Sequence, residues 1–317
     1  MKHEFQSGFA CQIKNMLVHR EVMGHPVTGY RQNLANFDRF CYERFTNDTI
    51  LTKEIAFAWC NDAKGNGGMN RACAIRKFAQ YMLAGGEVAY VMPAAFFPYQ
   101  RARPPYIMND SELAKFFNAA DHFPGNKINP LLEFIVPAIF RVQYACGLRP
   151  QEVRRLRRTD VSQGDNTIYI VEGKHNKDRR LPINAHVMDI CKKYDKVAEM
   201  HTPNRVYFFQ SYTGDAYTTQ WLENIFSKCW RMSGNGTLRG YCSPYILRHN
   251  YATQTLMRWI EEGKNIDAMI PYLSAYMGHS KFSATYYYIH LLPERLARMD
   301  FTSLDGIIPE VHDYEED

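Results

Sequence analysis

The 317-residue sequence has no apolar run approaching the roughly 18–20 residues needed to cross a bilayer, so nothing in it reads as a membrane span. Its opening stretch, MKHEFQSGFACQ, is too polar for a secretion signal and leads to the expectation of an intracellular protein. Cysteine occurs eight times, but never as a CxxC pair and never spaced with a histidine pair as in a zinc site. Thiols such as Cys41, Cys60, Cys146 and Cys242 sit in apolar segments and read as buried, free groups of a reducing compartment. No glycine-rich phosphate cradle and no carboxylate cluster suited to Mg²⁺ is present, which argues against nucleotide-driven or metal-dependent chemistry. Internal repeats and low-complexity tracts are absent too, which excludes a solenoid.

What the chain does have is an ordinary globular balance, 46% hydrophobic and 22% charged, with length enough for two domains. The formal charge is +5. Its distribution says more than its sum. The last residues, EVHDYEED, are acidic, so the remainder is more basic than the total suggests. Between Arg149 and Arg180 the stretches RPQEVRRLRR and GKHNKDRR lie close together, a pattern typical of phosphate-backbone contact.

Residues 5–84 read as helices only. Phe9, Ile13, Met16, Leu17 and Val22 recur near helical spacing, as do Leu34, Phe37, Phe40, Cys41 and Phe45. Thr52 is a candidate cap for KEIAFAWCND, and a glycine pair closes NRACAIRKFAQYMLAGG. The expectation is a four-helix bundle over residues 1–88. Arg71, Arg76 and Lys77 fall on its last helix, either as a solvated face or as a DNA backbone contact. Residues 89–108 hold Pro93, Pro98, Pro104 and Pro105 with Arg101 and Arg103 between them; proline removes donors and blocks helix, so this segment reads as an extended linker. A second domain spans 109–302, and a tail spans 303–317. In the second domain the Asn109–Ser111 stretch suits a helix start, and a long apolar helix ends at Gly147. Pro150 suits the first turn of a short helix. The segment NTIYIVEGKHNKDRRLPI reads as a β-hairpin, and helical patterns fill the rest up to ATYYYIHLLPERLARM. The fold class is mainly α, with one small antiparallel sheet in the α-rich second domain.

Five places in that domain carry candidate chemistry. Arg149 follows a helix end and has Glu152 three residues later to hold its guanidinium; alone, the pair reads equally as a surface ion pair. Lys174 sits on or near the hairpin tip, where Lys177 competes with it. Tyr245 and Arg248, spaced i and i+3, share a helix face, and a charge in that apolar helix start needs a partner or a ligand. His279 follows a glycine that ends a helix. Tyr288 comes nine residues later, last of three consecutive tyrosines.

Together these motifs resemble the tyrosine recombinase (phage integrase) family. They appear as CGLRPQEV, GKHNKDRRLPI, YILRHNYAT and MGHSKFSATYYYIH, in the family's order, with the spacing from His279 to Tyr288 and the trailing His290 both matching. The resemblance implies a SAM-like core-DNA-binding bundle followed by a catalytic domain, as in a simple Xer-like or transposon-type integrase. It implies a nucleophile at Tyr288, phosphate-binding guanidiniums at Arg149 and Arg248, Glu152 in support, and Lys174 as general acid toward the leaving 5′ oxygen. Arg179 and Arg180 join Arg71, Arg76, Lys77, Arg101, Arg103 and Lys177 as candidate DNA contacts.

Of the three phenols only one can face a given phosphate from a helix, so Tyr286 and Tyr287 read as packing residues; in an extended segment Tyr286 would compete. The chain departs from the family at Tyr245, where histidine is usual. A phenol can donate to a phosphate oxygen, but it is a poor proton acceptor near neutral pH. That moves the expected general base to His279, with His249 and His290 as alternatives. A cationic surround is expected to lower the Tyr288 pKa.

Further implications are a 3′-phosphotyrosyl intermediate, no metal and no cofactor. The partners are double-stranded DNA core sites and other copies of the chain in a four-subunit synapse, with no membrane and any DNA-bending accessory protein unknown. Localisation is cytoplasmic, at the nucleoid when DNA is bound. The apolar Leu304, Ile307 and Ile308 of the tail dock either on a neighbour or on their own domain. Without an added arm-binding domain, the reading favours a simple recombinase on short core sites, acting in integration or excision of a mobile element or a similar exchange, with transposition and dimer resolution equally open. Alternatives on the same fold are a non-catalytic DNA-binding protein and a type IB topoisomerase-like enzyme.

Overall fold

A computed structural model describes residues 4–25, 27–63, 67–94, 96, 105–171, 178–236 and 243–292, the His290 side chain excepted. The chain divides into two compact units, Met1–Arg103 and Pro104–Asp317. Among the described residues, no helix is long and apolar enough to cross a membrane.

In the first unit α1 (Ala10–Val22), α2 (Thr28–Arg44), α3 (Lys53–Asn61) and α4 (Gly67–Ala84) share one apolar core. Phe9, Phe37, Trp59 and Phe78 meet there, fully buried. Thr52 caps α3 by accepting the Ile55 N–H, which satisfies a donor the helix itself cannot. Met92 lies in the same core, so the start of the proline-rich stretch belongs to this unit. Arg71 donates to the Trp59 carbonyl at 2.6 Å, and Arg76 donates to the carbonyls of Met92 and Pro93 at 2.6 and 2.8 Å. Both guanidiniums thus tie this unit together. Lys77 is exposed, whereas Arg101 and Arg103 lie outside the described residues.

The second unit opens on α5 (Asp110–Asp121), which Asn109 and Glu112 start as a reciprocal capping box. The apolar α6 (Leu132–Ala145) forms the centre of the core, and α7 (Pro150–Arg154) begins on its proline. Three strands follow, β1 (Val161–Ser162), β2 (Thr167–Ile170) and β3 (Arg179–Pro182), antiparallel in that order, with Ile168 opposite Leu181 and Ile170 opposite Arg179. Then come α8 (Ala185–His201), α9 (Thr219–Met232), α10 (Tyr245–Glu261) and α11 (Ile266–Met277). α6 packs against α5, α8 and α10. The mostly helical architecture with one small sheet is the one expected from the sequence.

The expected last helix is interrupted. α12 covers only Ser283–Tyr286, and after a turn the chain makes a single 3₁₀ turn at Ile289–Leu291. Tyr288, Ile289 and Leu292 dock this segment on the α10–α11 core. Burial of apolar side chains at about 1.5–3 kcal/mol each outweighs the weak preference of a tyrosine run for continuous helix.

Two helix ends explain how loops become sites. α6 closes through Leu148 N–H to Gln143 C=O at 2.9 Å, with Gly147 at φ +56°; α11 closes through His279 N–H to Ser274 C=O at 2.9 Å, with Gly278 at φ +66°. A Cβ on Gly147 would stand 2.5 Å from the Tyr251 ring. Left-handed strain and this overlap together predict that Gly147→Ala destabilises the unit by about 2–4 kcal/mol. The check is a urea midpoint that falls at constant slope.

Candidate active site

The site is built where those two glycine ends meet the first turn of α10. Arg248 has its side chain buried, with 2% of the residue exposed. It donates to the Gly147 carbonyl at 2.6 Å, to the Met277 carbonyl at 2.8 Å and to His279 Nε2 at 2.8 Å. Arg149 donates to Glu152 Oε1 at 2.7 Å and to the Gly278 carbonyl at 2.8 Å. The carbonyls that each helix leaves unpaired at its end are thus the acceptors that aim both guanidiniums. Burial, then the charge of Arg149, lowers the Arg248 pKa to about 10, so it remains a cation at neutral pH.

Glu152 serves two arginines. Besides Arg149 it accepts from Arg179 at 3.1 and 2.9 Å. Burial alone would raise its carboxyl, but the hydrogen bond and charge of Arg179, with Arg149, carry it below the ordinary value. Arg179 also donates to the Tyr276 carbonyl at 3.0 Å and packs where a Gly278 Cβ would be.

His279 Nε2 accepts from Arg248, because a guanidinium only donates. Its Nδ1 therefore carries the proton and donates to the buried Thr285 Oγ1 at 2.7 Å. The Tyr288 side chain is buried, and its hydroxyl lies 3.2 Å from His249 Nδ1. The His279 and Tyr288 rings stack nearly parallel, 15° apart. A cleft of about 760 Å³ opens onto Arg149, Arg248, His249, His279 and Tyr288, with Tyr245 on its wall.

The two imidazoles carry a stability prediction. Burial first and Arg248 second lower His249 to about 4 and His279 to about 3, from an ordinary 6.5. Below pH 6.5 the unfolded chain takes up protons that the folded chain refuses. Their stabilising contribution is therefore complete above that pH and is lost as pH falls toward 4 and then 3. Glu152 adds a lower window, below 4.5, with the same sign. The urea midpoint is expected to drop steadily on acidification, and His279→Asn is expected to flatten the upper part of that slope.

Residues 108–295 match the sequence model of the phage integrase family. The chain belongs to the phage integrase family. Tyrosine recombinase XerD of Rickettsia conorii is 24% identical, over 92% of this chain and 96% of its own length. Among solved structures, XerH site-specific recombinase bound to palindromic difH substrate in a post-cleavage complex matches with a TM-score of 0.65. It is 17% identical and covers 86% of this chain and 78% of that one. The lambda integrase tetramer bound to a Holliday junction matches at 0.61, with 11% identity over 88% and 76% of the two chains. The fold is that of the tyrosine recombinases.

Within this integrase fold, Arg149, Glu152, Arg248, His279 and Tyr288 come together, and Tyr245 lies at the rim, 45% exposed. Lys174 and Lys177 lie outside the described residues, as does the tail with Leu304, Ile307 and Ile308. Arg180 is exposed and pairs with Asp165 at 3.0 Å, while Arg179 turns inward to Glu152. The packing role expected of Tyr286 and Tyr287 does not hold: they are 40% and 41% exposed, and Tyr286 donates to Asp267. The break after α12 turns Tyr288 inward instead.

The expected lowering of the Tyr288 pKa is reversed as well. Burial raises it, and the opposing pull of Arg248 and Arg149 does not overcome that. Arg155 and Arg157, exposed members of the RPQEVRRLRR stretch expected to meet phosphates but not named singly among the candidates, line the cleft, and Thr285 beside His279 was not named either. The RRLRR cluster was a signal for the first two. Thr285 had none beyond its place in the motif.

Proposed function

We propose that this protein is a site-specific DNA recombinase that cleaves and rejoins strands through a covalent phosphotyrosyl bond on Tyr288. The observation that carries this reading is one buried phenol placed in the same cleft as two fixed guanidiniums that arrive from positions far apart in the chain. A phosphodiester gathers negative charge on its non-bridging oxygens as it is attacked, and forked donors held in place stabilise that charge. Arg149 and Arg248 take this role. Glu152 and Arg179 hold Arg149 in position, Tyr245 offers a hydroxyl to the phosphate from the rim, and Lys174 protonates the departing 5′ oxygen. The bond energy stays in the phosphotyrosyl ester, so rejoining needs no nucleotide.

The first unit, through Lys77, and the arginines at the cleft mouth contact the DNA backbone. Double-stranded DNA and other copies of the chain are the partners. The DNA-bound XerH and lambda integrase structures support this, the latter as a tetramer.

The test is capture of duplexes from a pool with a randomised, singly nicked core, recovered as SDS-resistant adducts. Recovery of a defined sequence is the expected outcome. Retention of DNA with no SDS-resistant fraction would instead identify a binding protein of this fold.

A further inference from the structure

The proton on Tyr288 must leave before or as the phenol attacks, and the position where the family usually carries histidine is Tyr245. We infer that His249, one helical turn further along α10, is the group that takes this proton. The inference rests on the recombinase reading above.

The geometry is direct. His249 Nδ1 is 3.2 Å from the Tyr288 hydroxyl, within reach of proton transfer. Tyr245 lies along the same helix face, its ring 6.3 Å from the His249 ring. The alternative acceptor, His279, is already committed. Its Nε2 receives Arg248, its Nδ1–H serves Thr285, and its ring is stacked nearly parallel to the phenol. To accept from Tyr288 it would have to release the guanidinium. Arg248, which has no acceptor, acts on the same phenol and favours its anion. The hydroxyl proton is then left to point at His249.

Arg248 and Tyr245 flank that imidazole on α10, and Tyr288 faces it from the turn after α12. Arg149, Glu152 and His279 stand around the same cleft. Burial and Arg248 keep His249 neutral, and in the tautomer protonated at Nε2 its Nδ1 accepts the phenolic proton.

The step balances. The phenolic O–H electron pair forms the new bond to phosphorus, and the proton passes to His249 Nδ1. The bond from phosphorus to the 5′ oxygen breaks, and that oxygen leaves with its pair to be protonated by the acid assigned above. In rejoining, the imidazolium returns the proton to the departing phenolate.

The experiment follows single-turnover adduct formation by the full chain on the nicked duplex selected from the randomised pool by wild-type protein. His249→Asn and His249→Gln keep a polar contact but cannot take up a proton. Both are expected to bind the duplex as wild type does and to slow adduct formation by about 100-fold or more at neutral pH. The deficit shrinks as pH rises, because bulk base takes over. A difluorinated tyrosine at position 288, with its more acidic phenol, is expected to bring His249→Asn to within about tenfold of wild type. A purely structural defect would not respond to phenol acidity.

Variants within roughly threefold of wild type with an unchanged pH profile overturn the assignment. So does a deficit untouched by fluorination, and so does the same rescue appearing in His279→Asn or Tyr245→Phe instead. If wild-type protein captures nothing from the pool, the recombinase reading falls and His249 with it; adducts on wild type with no effect at His249 sink only this inference.

Discussion

Tyr288→Phe is expected to lower covalent capture of DNA by on the order of 10⁴-fold or more while leaving duplex binding unchanged. The substitution removes one oxygen and keeps the ring. That ring belongs to the α10–α11 core with Ile289 and Leu292, so the apolar packing survives. The lost contact to His249 costs about 0.5–1.5 kcal/mol, small enough for the variant to remain folded. What disappears is the phenol oxygen that meets His249 and Arg248. A variant that traps as much adduct as wild type in a single-turnover gel assay would place the nucleophile elsewhere, with its exposed sequence neighbours Tyr286 and Tyr287 the first phenols to replace.

The second large effect is expected at Arg248. Arg248→Lys keeps the charge, yet the cleavage rate should fall by about 100–1,000-fold and the urea midpoint should fall with it. A guanidinium reaches the Gly147 carbonyl, the Met277 carbonyl and His279 Nε2 at once. A single ammonium on a flexible stem cannot. Each buried acceptor left without its donor costs about 1–3 kcal/mol, so a loss of roughly 2–4 kcal/mol is expected. The catalytic loss has a separate cause. Those same three acceptors fix the direction in which the remaining donors face the cleft, and charge stabilisation depends on that direction being set before the phosphate arrives. Stability and rate measured on one preparation separate the two; a lysine variant within about tenfold of wild-type rate would show that charge alone suffices.

The pairing of Arg149 with Glu152 was readable because the residues are three apart and the intervening helix starts on a proline. The capping of α3 by Thr52 and of α5 by Asn109 was readable for the same reason. Partners within one turn are a property of the local chain. Arg248 could be recognised as a charge in need of a partner, but not supplied with one, since its acceptors lie 101 and 29 residues away. Arg179 is a sharper case. Among basic neighbours on a hairpin it reads as a DNA contact. Strand register turns it inward to a carboxylate 27 residues back, while Arg180 faces out. In a period-two element, adjacent arginines point to opposite faces, and which one faces in is decided by pairing and burial.

From the order and spacing of its motifs alone, this chain declares its family, its mostly helical class and the phenol proposed as its nucleophile. Those features are linear: periodicity, caps, and a fixed interval between a helix-ending glycine and a tyrosine. Which imidazole touches that phenol, which way its pKa moves and which arginine holds the carboxylate belong to the folded state. They depend on desolvation and on contacts between segments a hundred residues apart. Burial raises the acidity barrier of Tyr288 more than the neighbouring cations lower it, and that balance exists only once the core has closed around the ring.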